Sequence, residues 1–219
     1  MSVQQDVVWW AAVRIDRVVT SGMWRFDGQQ TPVDTNVWLL GDDHEVLVVD
    51  ASHNLGPVRK AIAGRRVFGI ACTHGHSDHI NQAVATSTEF GAPTMLHPDD
   101  VKLWHQTYPD VLPDEELVQN QVLGVAHVVV RVLHTPGHTP GSVSLYVPAL
   151  ESVFSGDTLF LGGPGRTGQS YSDFPMIIRS TEAKLLSLPP KTRILPGHGP
   201  STTVAQESPH LADWIARGY

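Results

Sequence analysis

The seven residues Thr73-His74-Gly75-His76-Ser77-Asp78-His79 constrain this chain more than any other stretch. Four of them, His74, His76, Asp78 and His79, are good metal ligands. They directly follow an apolar run, residues 67–72, that reads as a buried strand. A loop leaving a strand end can aim several side chains at one point, because the strand fixes where the loop starts. A plain surface turn has no reason to gather three histidines and an aspartate at this density. Imidazole and carboxylate together suit zinc, iron or manganese.

The same device recurs along the chain. Apolar segments keep ending in a loop that presents one ligand-type residue: Asp50, then His138 in Pro136-Gly137-His138-Thr139-Pro140, Asp157 in Ser155-Gly156-Asp157-Thr158, and His198 in Pro196-Gly197-His198-Gly199-Pro200. Glycine permits close backbone approach, and proline fixes the chain beside the ligand. A lone histidine beside glycine is an ordinary turn residue, whereas the whole set after strands points to a metal site. His74, His76, Asp78, His79, His138, Asp157 and His198 make seven ligands, too many for one zinc ion, which prefers four. Seven ligands with a carboxylate able to bridge fit two divalent ions sharing a water. Zinc is the first choice, with iron or manganese chemically admissible.

The 219 residues fit one domain, with 41% apolar and 17% charged residues and a mean hydropathy of −0.10. The formal charge of −7 argues against nucleic-acid or anionic-membrane partners, and a small-molecule substrate is expected. Cys72 is the one cysteine, which rules out an internal disulfide and fits a reducing cytoplasm. The apolar run 7–13 is too short for a membrane span.

In order, residues 7–26 read as a strand or an edge pair, and 36–40 and 45–50 as a hairpin around Gly41-Asp42-Asp43-His44. The spacing predicts a helix over 55–63, a strand over 67–72, and a helix over 80–90 that stops at Gly91. A short strand over 94–96, a helical stretch to Gln106 and an irregular acidic loop over 107–121 follow. Residues 125–133, 143–147, 152–155 and 193–195 read as strands, and 161–173 as a glycine-rich loop. Residues 176–188 and 209–217 read as helices. This is one α/β domain with no repeat or linker.

The order His-x-His-x-Asp-His, His138, Asp157, His198, together with Asp50, resembles the metallo-β-lactamase-fold hydrolases. These motifs span residues 50–198 and are specific as a set. The resemblance implies an αββα sandwich, two mixed sheets flanked by helices, with the metals at one edge. It implies that His74, His76 and His138 hold one metal, that Asp78, His79 and His198 hold the other, and that Asp157 bridges. Asp78 and Asp157 would be the catalytic carboxylates, ionised on the metals. Asp50 would orient the histidine loop without being a ligand. The bridging aspartate and the absence of a cysteine ligand argue against true β-lactamases. Ser155-Gly156-Asp157-Thr158-Leu159-Phe160 and residues 135–142 are most similar to glyoxalase II-type thioesterases.

Two departures stand out. Ile80-Asn81-Gln82 follows the histidine loop where that branch carries Gly-Gly, and residues 1–219 form a single domain lacking its C-terminal helical domain. Residues 162–175 resemble a smaller branch linked to mycothiol, which implies an S-acyl mycothiol thioester such as S-formylmycothiol. The expected activity is thioester hydrolysis by a bridging hydroxide. A thiol of pKa ~8.5 leaves as thiolate without a dedicated acid. Arg166 and Tyr171 on the glycine-rich loop, and His97 after a strand, are candidate substrate contacts. A mononuclear-iron persulfide dioxygenase and a lactonase are the alternatives.

Overall fold

The structure is a computed structural model that describes residues 12–26 and 29–218. It is a four-layer αββα sandwich, as the resemblance implies. One sheet has the order β1-β2-β3-β4-β5-β6, built from Arg14–Phe26, Gln29–Gly41, Glu45–Val49, Arg66–Ala71, Thr94–Leu96 and Glu115–Glu116. The first three strands pair antiparallel and the last four parallel. The other sheet is built from β7 (Val122–Val125), β8 (Val128–His134), β9 (Val143–Val147), β10 (Ser152–Gly156), β13 (Arg193–Pro196) and β14 (Thr202–Thr203), in the order β14-β13-β10-β9-β8-β7. In it only β10 and β13 pair parallel. A small ribbon, β11 (Leu159–Phe160) and β12 (Gly163–Pro164), lies beside it.

Both faces are covered at the central strands β3, β5, β9 and β10, which is why these read as unbroken apolar runs, whereas β7 and β8 alternate exposed and buried residues. Alternate residues serve different layers. Trp38, Leu40, Leu47 and Val49 face the inter-sheet core with Val130, Val132, Leu145, Phe154 and Leu195. Val37, Leu39, Val46 and Val48 face outward, packed with Val58 and Ile62 of helix α1 (Leu55–Ile62), Ile80 of α2 (Ser77–Ile80) and Trp104 of α4 (Val101–Thr107). α3 (Ala83–Phe90) adds Ala83 to this layer. On the far side, Val153 and Ile194 meet Ile178 of α5 (Phe174–Ser180) and Trp214 of α7 (Leu211–Arg217). A short α6 (Val204–Glu207) precedes α7.

Four local expectations change. The run 125–133 is not one strand but part of the β7–β8 hairpin, turning at Ala126 (φ 45°) and His127 (φ 67°). Neither turn residue is glycine or asparagine, so the valine run hides the turn. The helix expected over 80–90 is two helices. α2 begins three residues earlier at Ser77 and stops at Asn81, because the next backbone N–H, that of Gln82, leaves the helix to donate to the Ala51 carbonyl at 3.1 Å. The acidic loop contains β6, whose exposed Glu115 and Glu116 extend the first sheet. The helix over 176–188 begins at Phe174, capped by Asp173, and ends in a π turn over Thr181–Leu185. Of the strand expected over 7–26, residues 14–26 form β1, and residues 7–11 lie outside the described residues.

Candidate metal centre

Four strand ends, those of β4, β8, β10 and β13, deliver the seven candidate ligands to one place, and a fifth, that of β3, delivers Asp50. The backbone leaves β3 through Asp50, held in the left-handed region (φ 58°). Its carboxylate takes the Thr73 N–H at 2.7 Å, the Thr73 hydroxyl at 2.8 Å and the Nδ1–H of His79 at 3.0 Å. Asp50 thus ties the end of β3 to the histidine loop that leaves β4. A Cβ on Gly197 would lie 2.4 Å from Asp157 Oδ1 and 2.5 Å from the His79 ring, so only glycine lets the His198 loop come this close. Gly156 (φ 49°) likewise packs on Thr73, where a Cβ would meet the hydroxyl at 2.4 Å.

The ligands fall into two groups. In the first, His76 Nδ1 lies 3.0 Å from His74 Nε2 and 3.0 Å from His138 Nε2. In the second, His79 Nε2 lies 3.1 Å from His198 Nε2, with Asp78 Oδ2 3.4 Å from His198 and 3.7 Å from His79. Asp157 stands between them. Its Oδ2 is 3.6 Å from His138 and 3.5 Å from His198, and its Oδ1 is 3.5 Å from His79. The structure thus brings together all seven residues that the resemblance names, and His74, His79 and Asp157 also lie within 4.8 Å of one another, between the two groups.

The outer ring nitrogens test whether metal ions fit here. His138 Nδ1 donates to the Arg166 carbonyl at 2.8 Å, His198 Nδ1 to the Asp34 carbonyl at 2.7 Å, and His79 Nδ1 to Asp50. Thr73, whose hydroxyl is committed to Asp50, accepts from His74 Nδ1 at 3.1 Å, and Tyr171 Oη lies 2.5 Å from His76 Nε2. With their outer nitrogens protonated, the inner nitrogens of neutral rings present lone pairs to one another at about 3 Å. That arrangement is repulsive unless a cation lies between them. Asp78 Oδ1 and Asp157 Oδ1 are buried without a hydrogen-bond donor, as carboxylate oxygens aimed at a cation would be. Imidazoles whose second nitrogen is held by oxygen are the usual form of a metal-binding histidine. The clusters fit a dinuclear metal site.

Titration in the metal-free protein follows the same partition. Burial and the charge of His138 push His76 down to about 3, and burial with His79 and His76 pushes His74 well below its usual range. In the second group burial acts in the same direction, but Asp157 and its hydrogen bond, with Asp78, raise His198 to about 11. Asp157, Asp78 and Asp50 likewise raise His79 against burial. Burial would raise Asp157, yet His198 and His79 hold it well below the usual carboxylate range. Protons therefore occupy the second group where a metal would compete for the same nitrogens.

Above the ligands lies a cavity of about 280 Å³. Trp24, Thr31, Pro32 and Val33 of the β1–β2 hairpin form one wall, and Arg166 and Gln169 the other. Trp24 stands edge-on to His76 at 6.2 Å. Arg166 thus faces the site, and Tyr171 reaches it through His76. His97 does not line this cavity. Its ring stacks on His134 at 4.1 Å. The two are near-parallel, so their in-plane lone pairs do not converge, although Asp99 lies close by.

Several contributors left no trace in the motif. Asp100 is fully buried and takes Gly75 N–H at 2.8 Å, Gly141 N–H at 2.6 Å and the Thr139 hydroxyl at 2.7 Å, joining the histidine loop to the His138 loop. It closes the 3-10 turn Pro98–Asp100 shortly after β5, in an Asp-Asp pair that reads as an ordinary turn. Asn36 and Trp38 of β2 donate to the Pro196 carbonyl at 2.9 and 3.0 Å, holding the His198 loop.

An αββα sandwich with paired His/Asp clusters at one edge of its sheets defines a class, the metal-dependent hydrolases of this fold. The chain belongs to the metallo-beta-lactamase superfamily, whose sequence pattern matches residues 30–198. The probable metallo-hydrolase YqgX of Bacillus subtilis is 32% identical over 191 residues, 80% of this chain and 90% of that protein. The hydroxyacylglutathione hydrolase GloC of Haemophilus influenzae is 33% identical over 148 residues, 62% of this chain and 70% of that one. Among solved structures, the BLEG-1 B3 metallo-beta-lactamase matches with a TM-score of 0.76 and 28% identity, over 89% of this chain and 99% of that one. TTHA1623 in a di-iron-bound form matches with a TM-score of 0.73 and 31% identity, over 81% and 94%. No described helix is long and apolar enough to cross a membrane.

Proposed function

We propose that the chain is a dinuclear metal hydrolase acting on S-acyl thioesters of a small thiol carrier. The observation that carries this reading is the pair of ligand groups meeting at Asp157 beneath a cavity whose lining, among the described residues, has no carboxylate outside the ligand set. When bound, two divalent ions supply Lewis acidity and lower the pKa of a shared water from 15.7 toward ~7. His74, His76 and His138 would hold one, and Asp78, His79 and His198 the other. Asp157 would touch both and keep its charge there.

The remaining residues orient the substrate. Trp24, Pro32 and Val33 give the acyl group an apolar wall, and the Arg166 guanidinium offers a partner to an anionic carrier. Every histidine in the cavity lining is a candidate ligand. Tyr171 is held above its usual pKa by burial and by Asp100 and Asp78, so it stays a neutral phenol. Its oxygen is engaged with His76, so a leaving group that needs no protonation suits this lining best: a thiolate departs at pKa ~8.5 and an amine does not. The relationship to GloC supports the same chemistry, and a mycothiol thioester is the carrier that residues 162–175 favour.

The test is metal analysis of purified protein followed by initial rates on a panel. The panel holds glutathione and mycothiol acyl thioesters, a homoserine lactone, a β-lactam and a persulfide with an oxygen electrode. Two ions per chain with thioester cleavage fastest is the expected result. One iron per chain with oxygen uptake, or β-lactam turnover exceeding thioester turnover, sinks the proposal.

A further inference from the structure

We infer that residues 165–173 act as a clamp on the first ligand group alone, with Tyr171 as its positioning residue. This inference rests on the two-metal reading above.

The segment supplies the outer partners of two of the three rings in that group. Arg166 gives its carbonyl to His138 Nδ1 at 2.8 Å, and Tyr171 its hydroxyl to His76 Nε2 at 2.5 Å, the two rings packing at 5.8 Å between centroids. The segment is itself pinned to the ligand loops. Gly165 N–H donates to the Thr158 carbonyl at 3.1 Å, and a Cβ on Gly165 would fall on the Asp157 carbonyl. Asp173 N–H donates to the Gly137 carbonyl at 2.8 Å, beside His138. Between these anchors, Gly168 N–H donates to Ser172 Oγ at 2.7 Å, and Ser172 Oγ donates to the Gln169 carbonyl at 2.9 Å.

The second group draws on other parts of the fold. His79 is backed by the Asp50 carboxylate after β3, and His198 by the Asp34 carbonyl of β2. Apart from His74, which Thr73 backs from Asp50, the two groups have separate supports: sheet backbone and a buried carboxylate for one, a glycine-rich surface segment for the other. The same segment turns Arg166 and Gln169 toward the cavity, and Gln169 Oε1 is buried without a hydrogen-bond donor. Substrate contact and the first ion's seat are thus carried on one stretch of chain.

Loss of an outer partner typically weakens metal binding by about 10–100-fold. Tyr171→Phe removes the hydroxyl and keeps the ring. Chelator competition on zinc-loaded protein should show one of two release steps shifted by about 10–100-fold and the other unmoved, with the chelated variant still melting in one cooperative transition. In a His198→Ala background, which disables the second group, the shift should persist; in a His138→Ala background it should vanish. Equal weakening of both ions, no shift, or a shift that survives His138→Ala overturns the clamp. A wild-type protein holding fewer than two ions overturns the two-metal reading instead. In that case Tyr171→Phe must still weaken a single ion that depends on His138, or the clamp falls too.

Discussion

Asp157 is the residue whose loss separates the two ligand groups, because its oxygens lie 3.5–3.6 Å from rings in both. Asp157→Ala should leave fewer than two ions per chain and lower kcat/KM at least about 100-fold, since a metal contact is worth several kcal/mol in a transition state. Two ions and full activity in that variant would show that Asp157 joins nothing. Asp50→Asn keeps one acceptor but sets an amide N–H against Thr73 or His79. Metal affinity should fall about 10–100-fold by chelator competition. What could be read from sequence at this scale follows a rule: strand end, small or rigid neighbours, ligand-type side chain. His138, Asp157 and His198 obey it. The outer partners do not, because Arg166 and Asp34 act through backbone carbonyls and a carbonyl has no residue identity. Thr73 and Asp100 were open to sequence in principle, yet a threonine or aspartate near a turn has too many ordinary uses to stand out.

The β1–β2 hairpin does two jobs that its sequence does not announce. It walls the cavity with Trp24, Pro32 and Val33, and through Asn36 and Trp38 it holds the loop that carries His198. Asn36 Nδ2 lies within reach of both the Pro196 and Gly199 carbonyls, at 2.9 and 3.0 Å, and Arg17 donates to its Oδ1 at 2.9 Å. Asn36→Leu keeps similar bulk but removes the amide that ties Arg17 to the His198 loop; the Pro196 carbonyl keeps Trp38 and the Gly199 carbonyl keeps Arg17, so each lost hydrogen bond costs about 0.5–1.5 kcal/mol. Urea unfolding should register that loss, and the ion seated by His198 should dissociate more readily. Unchanged stability and metal content would assign the hairpin to substrate contact alone. The hairpin at 36–50 was legible because Gly41 and two aspartates interrupt its apolar runs. The hairpin at 126–127 was not, because no glycine or asparagine marks it and valines continue on both sides. The early start of α2 was hidden for a related reason: the helix begins inside the metal motif, where ligand chemistry dominates residue choice.

Over the whole molecule, protons and metal ions compete for the same edge of the sandwich. In chelated protein His198 titrates at about 11 folded, against ~6.5 in an unfolded chain. Between these values the native state binds more protons, so its stabilisation is complete below about pH 6.5 and is lost as pH rises toward 11. His76, at about 3, acts in reverse: the native state binds fewer protons between 3 and 6.5, and stability falls on acidification through that window. Melting temperatures of chelated protein should peak near about pH 6–7, and saturating zinc should flatten the alkaline decline. A chelated protein that grows steadily more stable from pH 7 to 10 would contradict this balance. The two sheets, which otherwise meet through an apolar core, both contribute to each ligand group. His74, His76, Asp78 and His79 come from the first sheet, and His138 and His198 from the second. An ion in either group is therefore a cross-link between the halves of the sandwich. Mass action makes that link worth ~4.1 kcal/mol at a free concentration 1,000 times its Kd. The resistance of the fold to heat thus becomes a gauge of how much metal its surroundings can spare.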